Sequence, residues 1–255
     1  MSLTITKYHG TIPSPKIVNP IEVVNQAQQA GNPNATIAIA VTRPFLKIDQ
    51  TGLIYDTQPA AKPVDFRFRS GVLLLTLRQT IHISSSLSAC EQGIWKKHEL
   101  EHVKDNQQLM SIIDGSIRNH PQLMNIFFWP VWHPISQFNN IQQTIQNVVS
   151  DIFIKLVTEA IKKRDTFEEY SKINQEIIKK CPGKFVHEVV TGETLFRLSL
   201  FYYGNSRYWP SIYTENKNTI GKNPDRILPG QNLIIPKNPT IIEDYFKLLL
   251  SKLNF

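Results

Sequence analysis

Apolar residues recur along this chain with two periods, and the points where the period changes divide it. From Ala35 the period is two, through ATIAIAVTRPFLKI, GLIYD and, after the proline-bearing TQPAAKP, VDFRFRSGVLLLTLRQTIHISS. In the last stretch Phe66, Phe68, Leu75, Leu77, Ile81 and Ile83 alternate with polar residues, which predicts a pair of half-buried strands broken at Ser70-Gly71. After three serines (84–86) the spacing becomes helical, and a proline-free helix is expected over 87–117 with Ile94, Leu100 or His102, Leu109, Ile112 and Ile113 on its apolar side. Pro121 ends it, and IFFWPVWHP (126–134) is too proline-punctuated for a regular helix. A second long helix is expected over 139–164, its stripe formed by Ile141, Ile145, Val148, Val149, Ile152, Phe153, Leu156 and Ile161. A shorter helix, FEEYSKINQEIIKK, runs up to Cys181-Pro182-Gly183, where Pro and Gly close the segment.

Beyond that boundary, FVHEVV predicts a strand, Thr191-Gly192 a turn, and Thr194 the N-cap of a small helix stopped at Tyr203-Gly204-Asn205. Ser206 opens a second helix with Trp209, Ile212 and Tyr213, and Pro229-Gly230 turns the chain into a closing strand, NLIIP. The expected fold class is α+β. It comprises an amino-terminal arm (1–34) whose one helix candidate starts at Asn19 or Pro20, a domain of small sheet and long helices (35–182), and a strand-helix-helix-strand module (184–237). A short amphipathic helix follows (238–255), with Ile241, Ile242, Tyr245, Phe246, Leu249 and Leu253 along one side.

Composition narrows the function classes. A chain of 255 residues with 41% hydrophobic and 19% charged residues is that of an ordered two-domain protein. Its net charge of +7 is spread over short pairs such as Lys96-Lys97 and Lys179-Lys180, with no dense basic stripe interleaved with aromatics, which argues against a nucleic-acid partner. The same charge suits anionic cell-wall polymers. No uncharged apolar run approaches the roughly 18 residues that span a bilayer, and the first residues lack a signal-peptide core, so a soluble, cytoplasmically made protein is expected. Cys90 and Cys181 lie far apart in no CxxC pattern and are expected to be buried free thiols.

The segment 184–237 resembles a LysM module. The positions that carry the likeness are Gly192, Glu193, Thr194 and Leu195, then Tyr203, Gly204, Trp209, Ile212 and Asn216, and finally Ile227, Pro229, Gly230, Gln231, Leu233, Ile235 and Pro236. The longer form YYGNSRYWPSIY with NPDRILPGQ looks most like modules of phage tails and contractile injection baseplates. The resemblance implies binding of N-acetylglucosamine-containing glycans, peptidoglycan or chitin, in a groove between Gly192, Glu193, Thr194, Leu195 and Phe196 on one side and Pro224, Asp225, Arg226 and Ile227 on the other.

The other chemical signal is WKKHELEHVKDN, in which His98, Glu99 and His102 spell H-E-x-x-H. On a helix, residues four apart share a face, so both imidazoles can reach one zinc ion while Glu99 stands beside it as general base. Residues 35–180 thus resemble a zincin-like metallopeptidase, an edge strand preceding the metal-bearing helix. A metzincin third histidine is absent, since Asp105 and Gln108 occupy the extension; His120, His133, Asp151 and Glu159 are the candidate third ligands. The expected function is a zinc-dependent peptidase or peptidoglycan-cleaving hydrolase tethered to wall glycan. The alternative is a non-catalytic structural component of a phage tail or injection baseplate, contacting its assembly proteins and possessing in HELEH only the solvated face of a charged helix, with pairs such as Lys97 and Glu101.

Overall fold

A computed structural model describes residues 2–29, 40–58, 64–128 and 131–240. The chain divides into two compact units, Met1–Leu87 with Trp95–Arg164, and Ser88–Ile94 with Asp165–Phe255. Both mix helix and sheet.

The first unit runs β1 (Ser2–His9), β2 (Lys16–Val18), α1 (Pro20–Gln29), β3 (Ala40–Asp49), β4 (Leu53–Gln58), β5 (Asp65–Ser84), α2 (Ala89–Arg118, shared with the second unit), α3 (Pro121–Phe127), β6 (His133–Pro134) and α4 (Phe138–Arg164). The 20-residue β5 organises the sheet. Along one edge it pairs antiparallel with β3 and β4; along the other it pairs parallel with β1 and β2 and antiparallel with β6. The amino-terminal residues are therefore not an arm. Leu3 and Ile5 alternate into the core from β1, and Asn19 caps α1 by accepting from the Glu22 amide at 2.8 Å.

Ser70-Gly71 is not a turn either. The strand passes straight through it, and Gly71 takes a φ of +145°, a conformation that L side chains rarely adopt. Pairing with β4 slips between Ile54 and Tyr55, leaving Arg69 without an opposite residue, so this is a bulge. A Cβ on Gly71 would stand 2.2 Å from the Gly52 carbonyl oxygen. Only glycine allows the two strands to approach this closely.

One face of the sheet is covered. Leu46, Ile48, Leu73, Leu75 and Leu77 pack with Met110, Ile113 and Ile117 of α2, Leu123 and Phe127 of α3, and Ile145, Val149 and Phe153 of α4. The stripe expected for α4 is met, but that of α2 is rotated: Ile112 is 54% exposed, and the buried side runs through Trp95, His98, His102, Val103, Met110, Ile113 and Ile117. The helix starts with a capping box, in which the Ser88 amide donates to the Glu91 carboxylate at 2.7 Å and the Glu91 amide donates back to Ser88 Oγ.

The second unit contains α5 (Phe167–Lys180), β7 (Phe185–Glu188), α6 (Leu195–Tyr203), α7 (Trp209–Glu215), α8 (Lys217–Ile220) and β8 (Asn232–Ile235), with β7 and β8 antiparallel. The division at 164/165, earlier than the expected 182, follows from α5. Its Ile178 joins the core of Val189, Leu195, Leu198, Tyr202, Trp209, Ile212 and Leu233, and its Ser171 Oγ donates to the Phe201 carbonyl at 2.7 Å. Several motif residues have structural duties. Thr194 caps α6 by accepting from the Arg197 amide, and Gly204 ends that helix at a φ of +70°. The buried Asn216 side chain donates to the Ile212 and Ile234 carbonyls and accepts from the Ile234 amide, tying α7 to β8.

The cysteines are not free thiols. Cys90, in the first turn of α2, and Cys181, which caps the end of α5, form a disulfide with Cα atoms 5.5 Å apart. Tertiary packing alone brings them together. The expected tail helix at 241–255 and the strand start at 35–39 lie outside the described residues. Among the described residues no helix is long and apolar enough to cross a membrane.

Candidate metal centre

HELEH occupies the third and fourth turns of α2, and it does not face solvent: His98, Glu99 and His102 are all less than a tenth exposed. The turn is pinned to the sheet by polar contacts. Thr42 sits on β3 with Leu46 and Ile48 on the covered face of the sheet, and its Oγ1 lies 2.8 Å from Glu99 Oε2 and 3.0 Å from the Glu99 carbonyl oxygen. One turn further, Asn106 donates to Gln79 of β5 at 2.9 Å, and Gln79 donates to the Val103 carbonyl. The strand preceding the helix is central, paired on both edges; β3, with Thr42, is the strand that presents a hydroxyl to Glu99.

The imidazoles converge. His98 Nε2 and His102 Nε2 are 3.1 Å apart, and Trp95 stands edge-on against the His98 ring at a centroid distance of 5.8 Å. Two nitrogens bound to one tetrahedral zinc ion at ordinary bond lengths lie about 3.3 Å apart, so the donor spacing fits such an ion with little movement.

Asp165 is the third residue of a group that could hold a metal ion. One ligand atom each from His98, His102 and Asp165 lie within 4.8 Å of one another. The carboxyl end of α4 is fixed near this turn by Arg164, whose Nε and Nη2 form a forked pair with Asp105, one turn past His102. Asp165 is the next residue along the chain. None of the four expected third ligands joins the group. Asp151 and Glu159 lie on the exposed side of α4, about 21 and 9 Å along the helix from Asp165. His120 follows the far end of α2, about 27 Å along it from His102, and the His133 ring is tilted against Phe66 at a centroid distance of 5.8 Å. Asp165 was hidden in the run KKRDTFEE, which reads as a helix end meeting a helix cap; only the Arg164 anchor reveals it.

In the second unit the two loops expected to line a glycan groove stand on one core, since Leu195 and Ile227 both pack into it. Leu195 is itself buried, so its side chain has no surface to offer a ligand. Phe196 is 49% exposed; Gly192 and Thr194 in its own loop and Asp225 and Arg226 in the other loop are exposed as well, and Pro224 is half-buried. Glu193 is turned inward: its Oε2 accepts from His187 Nε2 at 2.7 Å and from the Val190 amide at 2.8 Å. His187 Nδ1 lies 2.7 Å from the Tyr202 hydroxyl, whose pKa is pushed far up, first by burial and then by Glu193. The phenol keeps its proton, and Tyr202, His187 and Glu193 form a chain of hydrogen bonds that ends on the Val190 amide, just before the Gly192 turn. Asn223 sets the opposite loop by accepting from the Asp225 and Arg226 amides.

No protein-family profile, curated protein or solved structure matches the chain.

Proposed function

We propose that the protein is a zinc-dependent hydrolase of peptide or peptidoglycan cross-link bonds, held at its substrate by a LysM-type glycan-binding unit. The observation that carries this reading is the convergence of His98, His102 and Asp165 within 4.8 Å at an H-E-x-x-H turn. A zinc ion bound there supplies Lewis acidity, acidifying water and polarising a carbonyl. His98 and His102 present Nε2, and Asp165 a carboxylate oxygen. Glu99 takes the proton of the attacking water on its carboxylate and returns it to the departing amine nitrogen as the C–N bond breaks. Burial of the turn among Trp95, Val103 and the sheet keeps bulk water from the base and strengthens its electrostatics.

Glycan binding by the second unit is supported by the exposed Phe196, which suits the apolar face of a sugar ring, and by exposed polar groups on both loops. Tethering raises the local concentration of cross-links around the first unit. The disulfide supports action outside a reducing cytoplasm, where such bonds persist.

Metal analysis tests the reading. Purified full-length protein should hold about one zinc per chain; His98→Ala and Asp165→Asn should each lose it or bind it at least tenfold more weakly; and Glu99→Gln should keep zinc while losing hydrolysis of peptidoglycan. A protein that binds no zinc, and folds equally well with both histidines replaced, would refute it and favour the structural alternative.

A further inference from the structure

We infer that the outer face of the first unit's sheet binds a phosphate-bearing wall glycan, a polymer whose sugar rings are joined through phosphodiesters. The inference shares with the reading above only the cell wall as the place of action and makes no use of the metal. Alternation along the strands sends Leu46, Leu73, Leu75 and Leu77 into the core and their neighbours to the other side. A sheet with one covered face ordinarily turns polar residues outward. This one exposes Phe45 at 58% and Tyr8 at 57%, with Ile54 and Val72 also exposed further along. Helix α1 packs over the other end of the face, where Arg43 Nη1 donates to Gln26 at 3.1 Å.

Register sets the two rings beside cations. Phe45 and Arg78 are partners in the β3–β5 ladder, and two residues along Lys47, Thr76 and Tyr8 lie abreast on β3, β5 and β1. In such a ladder opposite side chains start about 5 Å apart and diagonal ones about 7 to 8 Å apart, so Arg78 and Lys47 make a pair of cations with an aromatic ring on either side. Both are exposed, and among the described residues neither is hydrogen-bonded or ion-paired through its side chain. Asp49, two residues beyond Lys47, accepts from the Thr51 amide and hydroxyl at 2.9 and 2.6 Å; these bonds hold its carboxyl below the usual range, with Lys47 the weakest influence. The four residues stand at positions 8, 45, 47 and 78, so the basic, aromatic patch exists only across strands.

Charge decides the occupant. A second copy docked face to face would set Lys47 and Arg78 against like charges, whereas a phosphodiester complements them. Phosphates alone leave the rings unused; sugars between them present C–H faces that lie on Phe45 and Tyr8. Single-stranded nucleic acid also alternates phosphates with flat rings, but the Cys90–Cys181 bond favours a place outside a reducing cytoplasm, where wall polymers are at hand.

The test follows end-labelled poly(N-acetylglucosamine 1-phosphate) by fluorescence anisotropy on the full chain, with excess chitohexaose occupying any site for uncharged glycan. Binding should weaken about sevenfold between about 50 and about 200 mM salt if two phosphates are engaged, taking the counterion release of a single-stranded polyanion. Lys47→Gln and Arg78→Gln should each weaken it at low salt and cut the salt effect to about threefold. Phe45→Ala and Tyr8→Ala should each weaken it at least about threefold with the salt effect unchanged. No binding at low salt, or binding that none of the four variants alters, overturns the inference. Oligothymidylate bound as tightly as the sugar phosphate, or more tightly, overturns the ligand assignment in favour of nucleic acid. Zinc content is measured separately: a chain that holds zinc but not the polymer loses only this inference, and one that holds the polymer but no zinc loses only the metal reading.

Discussion

Removing the Cys90–Cys181 bridge tests the second unit most directly. The bond joins the first turn of α2 to the capping residue of α5 and closes a loop spanning 91 positions of sequence. Without it the unfolded chain regains the entropy that closure removed, which for a loop of this length amounts to about 4 to 5 kcal/mol at room temperature. Cys181 is buried at 4% exposure, so alanine avoids leaving a hydroxyl without a partner there. Cys90→Ala/Cys181→Ala should therefore unfold at a urea midpoint about 2 M below wild type, taking an m-value of about 2 kcal/mol/M. Circular dichroism follows the transition, and Cys90→Ala alone should cost nearly as much as the pair, because either change opens the loop. Reducing agent should lower the wild-type midpoint and leave the double variant unmoved. Two thiols titrating in denatured, unreduced protein, or a double variant within about 0.5 M of wild type, would refute the reasoning.

Two further outcomes follow from the first unit. Gly71→Ala should destabilise by about 2 to 5 kcal/mol, since the added Cβ meets the Gly52 carbonyl at 2.2 Å and the φ of +145° is strained for alanine; a urea midpoint equal to wild type would show that the bulge relaxes freely. His82, on β5, is buried with its Nδ1 unpartnered, and its pKa is held below the ordinary 6.5, first by burial and then by Lys16 and Arg43, against the opposing pull of Glu22. The unfolded state therefore binds the proton more readily, so the stability present above pH 6.5 is lost as pH falls below it. The urea midpoint should drop between pH 7.5 and 5.5, and His82→Phe should flatten part of that slope; an unchanged slope would assign it to other groups.

Local patterns were the legible part of this protein. The bounds of α4 and α5, the order of elements after Pro182 and the caps at Thr194 and Gly204 follow from side-chain period, missing prolines and one residue in the left-handed region, all properties of short stretches. The same logic missed β1, although Leu3 and Ile5 alternate, because a parallel partner some 68 positions away leaves no turn to signal the pairing. It mistook Gly71 for a hairpin, since a bulge and a turn both draw on the freedom of glycine to take a positive φ.

Spacing along the chain places His98, Glu99 and His102, the groups to which a metal-hydrolase role is proposed, on one helix face, because four residues make slightly more than one turn, and no distant contact is needed for that. Packing between elements is what buries this face, brings Thr42 to Glu99, places a ligand atom of Asp165 within 4.8 Å of those of His98 and His102, and bonds two cysteines 91 positions apart. These are contacts between elements, fixed by how apolar faces pack into one core, and nothing in the spacing of residues along the chain encodes them singly.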